Sequence, residues 1–509
     1  MLAGRAGAPT AVSIAIDAGV THQKLDGFGQ AESSVLAYPG PKTLSDPLRA
    51  LAAEKAYRQV GIDMGAIGTL LESPGDYDQR RNDNGDPFLI DWNGFNAFNL
   101  TNARQYVVNV AKPFGFTNYF LGAEAPNVRW GSPWLADIRT RDYNAYLDEA
   151  AEQVLANLLY WRNTYGEELS YYQLGNEQLS GNLAMIAPDM SGYGAVDPVQ
   201  QMVDLTKRAG ARLRAAGFTT TRFVVGAEET EEISLRLSRA ILADPDARQY
   251  VGAIGYHSYP YFEGYSSIPF ILSTSGAGVP DGGRVAVRNQ IRDLAKTYNV
   301  QVWMMENSHG GDPLSYDGFR ARAIQIHDEF AYADAAAYFG ESAIWDLASQ
   351  RLHNGNDDLY GAGNEGNIVL IQNDTGAVDI TGIGYAIGHY ARWIQPGAVR
   401  IDSSSSYPLV QVTAFRDERL QRLALVVINN SSLEQTAAVT VGGVALAGPI
   451  TGEQSTPSGY WKPIAAFAPA DPASFRITLP ATSVTSLAAT FGGAGSPRRA
   501  PPHRGMSRP

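Results

Sequence analysis

The 509-residue chain contains no cysteine. That one absence removes disulfide staples, thiolate zinc sites and cysteine nucleophiles together, and it leaves the redox compartment open. No apolar run approaches the ~18 residues of a transmembrane helix, so no membrane span is expected. The opening MLAGRAGAPT also lacks the apolar stretch of a signal peptide. Export to the outside or the periplasm, with the signal already removed, is the expectation, and a cytoplasmic home stays open. A basic excess is missing too: 40 Lys and Arg stand against 52 Asp and Glu, a net charge of −12. Nucleic-acid binders usually carry a basic footprint that releases counterions from phosphates, so no nucleic-acid partner is expected and a neutral one fits better. Finally, there is no P-loop, HExxH or GxSxG element, which sets aside the usual phosphate, zinc-protease and serine-hydrolase readings.

Two weaker signals also fall away. The run Gly361-Ala362-Gly363-Asn364-Glu365-Gly366 satisfies GxGxxG but precedes a strand-like stretch and opens no helix, so it reads as a turn. The acidic stretches Asp76 to Asp86 and Asn354 to Asp358 match no EF-hand loop and read as solvated. No metal and no cofactor is therefore expected.

What is present describes an ordinary globular protein, with 44% hydrophobic and 18% charged residues. Its length suggests two domains, one of which could be a large barrel. Short β-like runs alternate with longer helical patterns, the mark of parallel βα units. The strand candidates are Gly61 to Leu70, Asn118 to Leu121, Leu169 to Leu174, Arg222 to Val225, Val251 to Tyr256, Val300 to Met305 and Ser342 to Trp345. Helical patterns cover Tyr143 to Thr164, Pro198 to Ala216, Arg284 to Tyr298 and Gly318 to Ala337. After about residue 380 the pattern changes to alternating β runs separated by Gly, Ser, Asn and Pro, which reads as an antiparallel sandwich. The expected organisation is an α/β (β/α)8 TIM barrel over 25–380 with an appended β-sandwich over 381–491. Residues 1–24 would lend that sandwich a strand, and 492–509 would be a disordered tail. No internal repeat is visible.

Two carboxylates close strand-like runs: Glu177 follows Ser170 to Leu174, and Glu306 ends Val302-Trp303-Met304-Met305. The C-terminal strand ends of a (β/α)8 barrel form its active-site face, which makes such acids catalytic candidates. Their separation of 129 residues fits strands three βα units apart. Retaining hydrolysis of a glycosidic bond needs one protonated and one ionised carboxyl on opposite sides of the anomeric carbon, about 5 to 5.5 Å apart. Asn176 could hydrogen-bond a sugar hydroxyl. In Gly255-Tyr256-His257-Ser258-Tyr259, His257 and Tyr259 share one face of an extended strand and could look into the same pocket. Trp345 could lie flat under a sugar ring, and Arg351, just beyond, could reach an acidic sugar. A core histidine, packed tyrosines and a core tryptophan are the ordinary alternatives.

These residues resemble glycoside hydrolase family 30, a family of retaining (β/α)8 β-glycosidases. Leu25-Asp26-Gly27-Phe28-Gly29 is similar to its motif leading into the first strand, and Gly131-Ser132-Pro133-Trp134 to its tryptophan-proline loop after the third. Asn176-Glu177 resembles the asparagine and acid/base pair ending strand four, and Glu306 the nucleophile ending strand seven. The stretch Tyr385-Ala386-Ile387-Gly388-His389-Tyr390-Ala391-Arg392-Trp393-Ile394-Gln395-Pro396-Gly397-Ala398-Val399-Arg400-Ile401 resembles the helix and turn leading into the family's sandwich. Leu479-Pro480-Ala481-Thr482-Ser483-Val484 resembles the sandwich's closing strand. Gln30, Glu32 and Gln178 depart from the family pattern around the substrate site, as does the absence of an arginine from Asp63 to Gly68. The resemblance implies a retaining glycosidase acting on a β-linked oligo- or polysaccharide, with Glu177 and Glu306 catalytic. Asn176, His257, Tyr259, Trp345, Trp134 and Gln30 would bind substrate. A transglycosidase or a carbohydrate-binding pseudoenzyme on the same scaffold stays open, as do the sugar, the linkage and the oligomeric state.

Overall fold

A computed structural model describes residues 11–32, 46–67, 84–93, 95, 97–123, 142–179, 197–258, 282–306, 314–346, 367–372 and 375–492. The first strand, β1 (Ala11–Lys24), alternates exposed and buried residues from Ala11 to Ala18 and points Val12, Ile14, Ile16 and Ala18 inward. It belongs to the C-terminal sheet and not to the barrel that follows it in sequence.

Eight parallel strands close that barrel in chain order: β2 (Gly27–Glu32), β3 (Met64–Ile67), β4 (Asn118–Ala123), β5 (Tyr171–Leu174), β6 (Arg222–Val225), β7 (Val251–His257), β8 (Gln301–Glu306) and β9 (Ala337–Ser342). All four residues of β3 are buried, as expected for strands covered on both faces. Inside, Phe120, Trp303 and Phe339 meet with ring centroids 5.5 to 6.2 Å apart and fill the barrel as a packed core. Gly29 has no Cβ because the Phe339 ring occupies that space. Asp26, from the motif before the first strand, accepts the Trp303 Nε1–H at 2.8 Å and so serves this core. Burial raises its carboxyl to about 6 against the opposing effects of the Trp303 hydrogen bond and the Lys24 charge.

The eighth barrel strand corrects the sequence reading. It is Ala337–Ser342, whereas Trp345 lies beyond it on β10 (Ile344–Asp346), which pairs with β11 (Val369–Gln372) and β12 (Ala377–Ile380) in a separate three-stranded sheet. The run from Ala333 to Ala337 prolongs a helical pattern by composition. The helix nevertheless stops at Tyr332, and the chain reverses through Asp334, whose φ is +50°.

After the helix Gly382–Ala391 come β13 (Val399–Ser405), β14 (Val410–Asp417), β15 (Arg422–Asn429), β16 (Gln435–Gly442), β17 (Leu446–Thr456), β18 (Gly459–Phe467), β19 (Ser474–Leu479) and β20 (Ser483–Phe491). With β1 they form one nine-stranded sheet ordered β18-β17-β20-β15-β14-β13-β1-β16-β19. The sheet curls on itself: Phe467 and Phe475, on its two edge strands, lie 6.1 Å apart. It is antiparallel except for β1 beside β16, which run parallel. Among the described residues, no helix is long and apolar enough to cross a membrane.

Barrel and sheet are joined through the family-like stretch after Tyr385. Tyr385 stacks on Tyr460 at 3.9 Å, Trp461 donates to the Tyr385 carbonyl at 3.1 Å, and Arg392 and Trp393 both donate to Glu453.

Candidate active site

Glu177 follows β5 and Glu306 ends β8, the fourth and seventh barrel strands, three apart as their spacing implied. Both therefore sit at the C-terminal face. Glu306 is 6% exposed, and its register partner across β7 and β8 is His257, next to an irregularity at Tyr256 and His257. Such bulges re-aim side chains. His257, 1% exposed, stands between the two acids: its Nδ1 lies 2.8 Å from Glu177 Oε1 and its Nε2 3.9 Å from Glu306 Oε2. One carboxylate oxygen from each glutamate and one imidazole nitrogen all lie within 4.8 Å of one another.

Burial alone would push the His257 imidazole down. The charge of Glu306, the hydrogen bond and charge of Glu177, and the charge of Glu228 outweigh it and carry it up to about 9. A protonated ring donates from both nitrogens. The three groups would also be close enough to surround a small cation, but an imidazolium offers it no lone pair.

The acid-bearing turn is unusual in its backbone. Gly175 has φ +85° and Glu177 φ +49°, left-handed values that a non-glycine residue adopts at a cost of ~1–3 kcal/mol and holds only when its surroundings over-determine it. Asn176 is buried, its Oδ1 accepting from Gln173 Nε2 at 3.0 Å and its carbonyl from Gln178 Nε2 at 3.1 Å. The loop after β6 braces the turn: the Glu177 N–H donates to the Ala227 carbonyl at 2.8 Å. The Gln178 and Leu179 N–H groups donate to the two Glu228 carboxylate oxygens at 3.0 and 2.9 Å.

Other anticipated residues fare differently. Gln30 is fully buried in the barrel wall, donating to the Ala66 carbonyl at 3.1 Å and accepting the Tyr57 hydroxyl at 2.9 Å. Its amide is thus engaged by protein, not held open for sugar. Trp345 is half-buried on β10, and its indole N–H has no hydrogen-bond partner among the described residues. Tyr259, Trp134, Arg351 and the tail 493–509 lie outside the described residues.

Sequence reasoning missed Glu228 and Glu229. Both are buried at the end of the fifth barrel strand, and Glu229 is close enough to feel the charges of Glu177 and His257. Burial first, then the Glu177 charge, raise its carboxyl to about 7 against the lowering effect of His257. The strand-end rule that singled out Glu177 applies equally to them, but Thr230, two acidic residues and a helix follow at once, with the Thr230 side chain capping at Ile233. The run Glu228-Glu229-Thr230-Glu231-Glu232 therefore carries the look of an acidic helix start.

Residues 397–487 match the glycosyl hydrolase family 30 beta sandwich domain. No curated protein matches the chain. Among solved structures it resembles a GH30 endoxylanase from Clostridium papyrosolvens, with 16% identity, a TM-score of 0.61 and coverage of 94% of this chain and 100% of that one. A family 30 subfamily 8 xylanase from Clostridium acetobutylicum matches at 18% identity and TM-score 0.61, over 94% and 99% of the two chains. An endo-β-1,6-glucanase matches at 16% and 0.57, over 94% of each. At such identities the likeness establishes the fold alone, and residues 397–487 are similar to the family 30 β-sandwich domain.

Proposed function

We propose that the protein is a glycoside hydrolase that cleaves a β-linked oligo- or polysaccharide with retention of configuration, Glu177 acting as acid/base and Glu306 as nucleophile. The observation that carries this reading is the pair itself: two carboxylates at the ends of barrel strands four and seven, with oxygens within 4.8 Å of each other. Oxygens this close favour the short separation of retaining enzymes over the roughly 6.5–9.5 Å of inverting pairs, which stand apart to admit a water molecule. Glu177 protonates the leaving oxygen as Glu306 attacks the anomeric carbon, and Glu177 then takes a proton from water, which displaces Glu306. Asn176 and Trp345 are placed in this reading as sugar contacts, together with Trp134 and Tyr259. The substrate class draws on the xylanases and the β-1,6-glucanase that share the fold. A screen of aryl β-glycosides and of β-1,4-, β-1,6- and β-1,3-linked polysaccharides, with the first-formed anomer followed by NMR, tests it. A first-formed β-anomer is expected. An α-anomer, or no cleavage of any of them, would overturn the proposal.

A further inference from the structure

The Glu177 carboxylate is aimed by a backbone conformation that does not hold itself. Its left-handed φ of +49° needs the neighbouring amides to be fixed, and one residue fixes most of them. Glu228, 1% exposed, binds the amide of Gln178 with one carboxylate oxygen and that of Leu179 with the other, at 3.0 and 2.9 Å. Its own carbonyl accepts the His257 N–H at 3.0 Å and the Ser234 hydroxyl at 3.2 Å. The preceding carbonyl, of Ala227, accepts the Glu177 N–H at 2.8 Å. The peptide before Glu228, its side chain and its carbonyl thus reach both members of the Glu177–His257 pair. Two amide bonds to a buried carboxylate are charge-assisted and stronger than neutral ones, and an amide left unsatisfied there would cost its full desolvation.

We infer that Glu228 is a positioning residue for the acid/base: it locks the turn after β5 so that Glu177 meets His257 and the leaving-group oxygen. This rests on the glycosidase reading for its consequence in catalysis, but not for the geometry it asserts. A carboxylate that merely caps a turn would, when altered, reduce stability or folded yield without changing which substrates are cleaved well. A carboxylate that aims the proton donor would, when altered, harm only the substrates that need a proton.

Glu228→Asp separates reach from charge. It keeps the negative charge but draws the carboxylate back by about one C–C bond, ~1.5 Å, while the pinned carbonyls of Ala227 and Glu228 keep the backbone from following. A misplacement on the order of 1 Å can cost about 10²-fold in rate. In the folded full chain, kcat/KM should fall by about that factor for phenyl β-glycosides and by less than about threefold for 2,4-dinitrophenyl β-glycosides, which leave unaided. Equal losses on both substrates, or no loss on either, would overturn the inference.

A second readout does not depend on activity. The groups facing the His257 ring are Glu177, Glu306, Glu228 and, further off, Glu229. In Glu228→Asp the charge at 228 is kept and moved by only ~1.5 Å, and Glu177 outranks Glu228 among the groups that hold the ring protonated, so a fall of about one pH unit or more in the His257 midpoint, read by 15N NMR, reports withdrawal of Glu177. An unmoved midpoint overturns the inference. If the wild type cleaves no glycoside, the functional reading fails while this titration still decides the positioning. Should Glu228→Asp not fold, the isosteric Glu228→Gln replaces one of the two acceptors by a donor, and the same leaving-group comparison decides.

Discussion

His257 Nδ1 meets Glu177 Oε1 at 2.8 Å while its Nε2 faces Glu306 Oε2 at 3.9 Å, so one buried ring lies between two acids. The ring is held protonated to about 9, burial being overcome by Glu306, Glu177 and Glu228. Above that pH the carboxylates lose the cation between them, and activity should fall on the alkaline side. A 15N titration should show one histidine with a midpoint near 9, against the usual value of about 6.5. Glu306 and Glu177 would face each other unscreened in His257→Gln, which should lose roughly 10²-fold or more in kcat/KM. A His257 midpoint near 6.5 would refute the ion-pair arrangement.

Glu229 titrates near 7 because burial and the charge of Glu177 both oppose its ionisation. Its ionisation near pH 7 adds a second negative charge beside the acid/base, so kcat/KM for substrates with poor leaving groups should bend near pH 7 in the wild type and not in Glu229→Gln. Substrates that need no protonation should hardly change. The check is a pair of pH profiles, and superimposable limbs in wild type and variant would show that Glu229 plays no part.

The placement of Glu177 and Glu306 was legible because each closes a short apolar run whose spacing matches parallel strands. Other features depend on partners remote in sequence. The helix before the eighth strand stops at Tyr332, and the carboxylate of Asp334 in the turn that follows is held by Lys296 and Arg400, each at 2.7 Å. Nothing local announces those partners, so an alanine-rich run looked helical. Glu228 was hidden for a different reason: its bonds go to Gln178 and Leu179, fifty and forty-nine residues back. The alternation of Val12, Ile14 and Ile16 showed a strand, while its parallel pairing with β16 is a tertiary outcome.

The joint between barrel and sheet carries its own pH dependence. Ser486 Oγ gives its proton to the His389 carbonyl at 2.6 Å and so can only accept from His389 Nδ1, at 2.8 Å. Nδ1 therefore carries the proton and Nε2 accepts from Ser455 Oγ at 2.7 Å, while that oxygen accepts the Trp461 N–H at 2.9 Å. Burial, with the Arg392 charge, pushes His389 down to about 3. His327, bonded to Thr413 at 2.7 Å, is likewise pushed to about 3 by burial and by Arg400. Their folded pKa values lie below the unfolded value of about 6.5, so the unfolded chain binds more protons between those limits. The stability these two rings contribute should then be full above about pH 6.5 and decline as pH falls, by up to ~1.4 kcal/mol per pH unit for each histidine. In melting curves from pH 7 to 4 the wild type should lose stability relative to His389→Gln as pH falls. A difference between the two melting temperatures that does not change with pH would contradict the assignment.

The division of labour between the two acids has the sharpest consequence in their alanine variants. Glu306→Ala removes the nucleophile and should abolish turnover, yet it leaves a space from which azide can attack the anomeric carbon. Azide enters from the side that Glu306 occupied, so the product should be an inverted glycosyl azide. Glu177→Ala leaves Glu306 able to form the covalent intermediate from an activated aryl glycoside, but removes the base that activates water. Azide needs no base, and it should there displace Glu306 and give a product of retained configuration. The wild-type reaction is slowed in both variants, by roughly 10²–10⁴-fold for the loss of an acid/base and more for the nucleophile. NMR of the azide products from a 2,4-dinitrophenyl β-glycoside distinguishes the anomers. Opposite anomers are expected, and identical anomers, or undiminished hydrolysis in either variant, would reverse or remove the assigned roles.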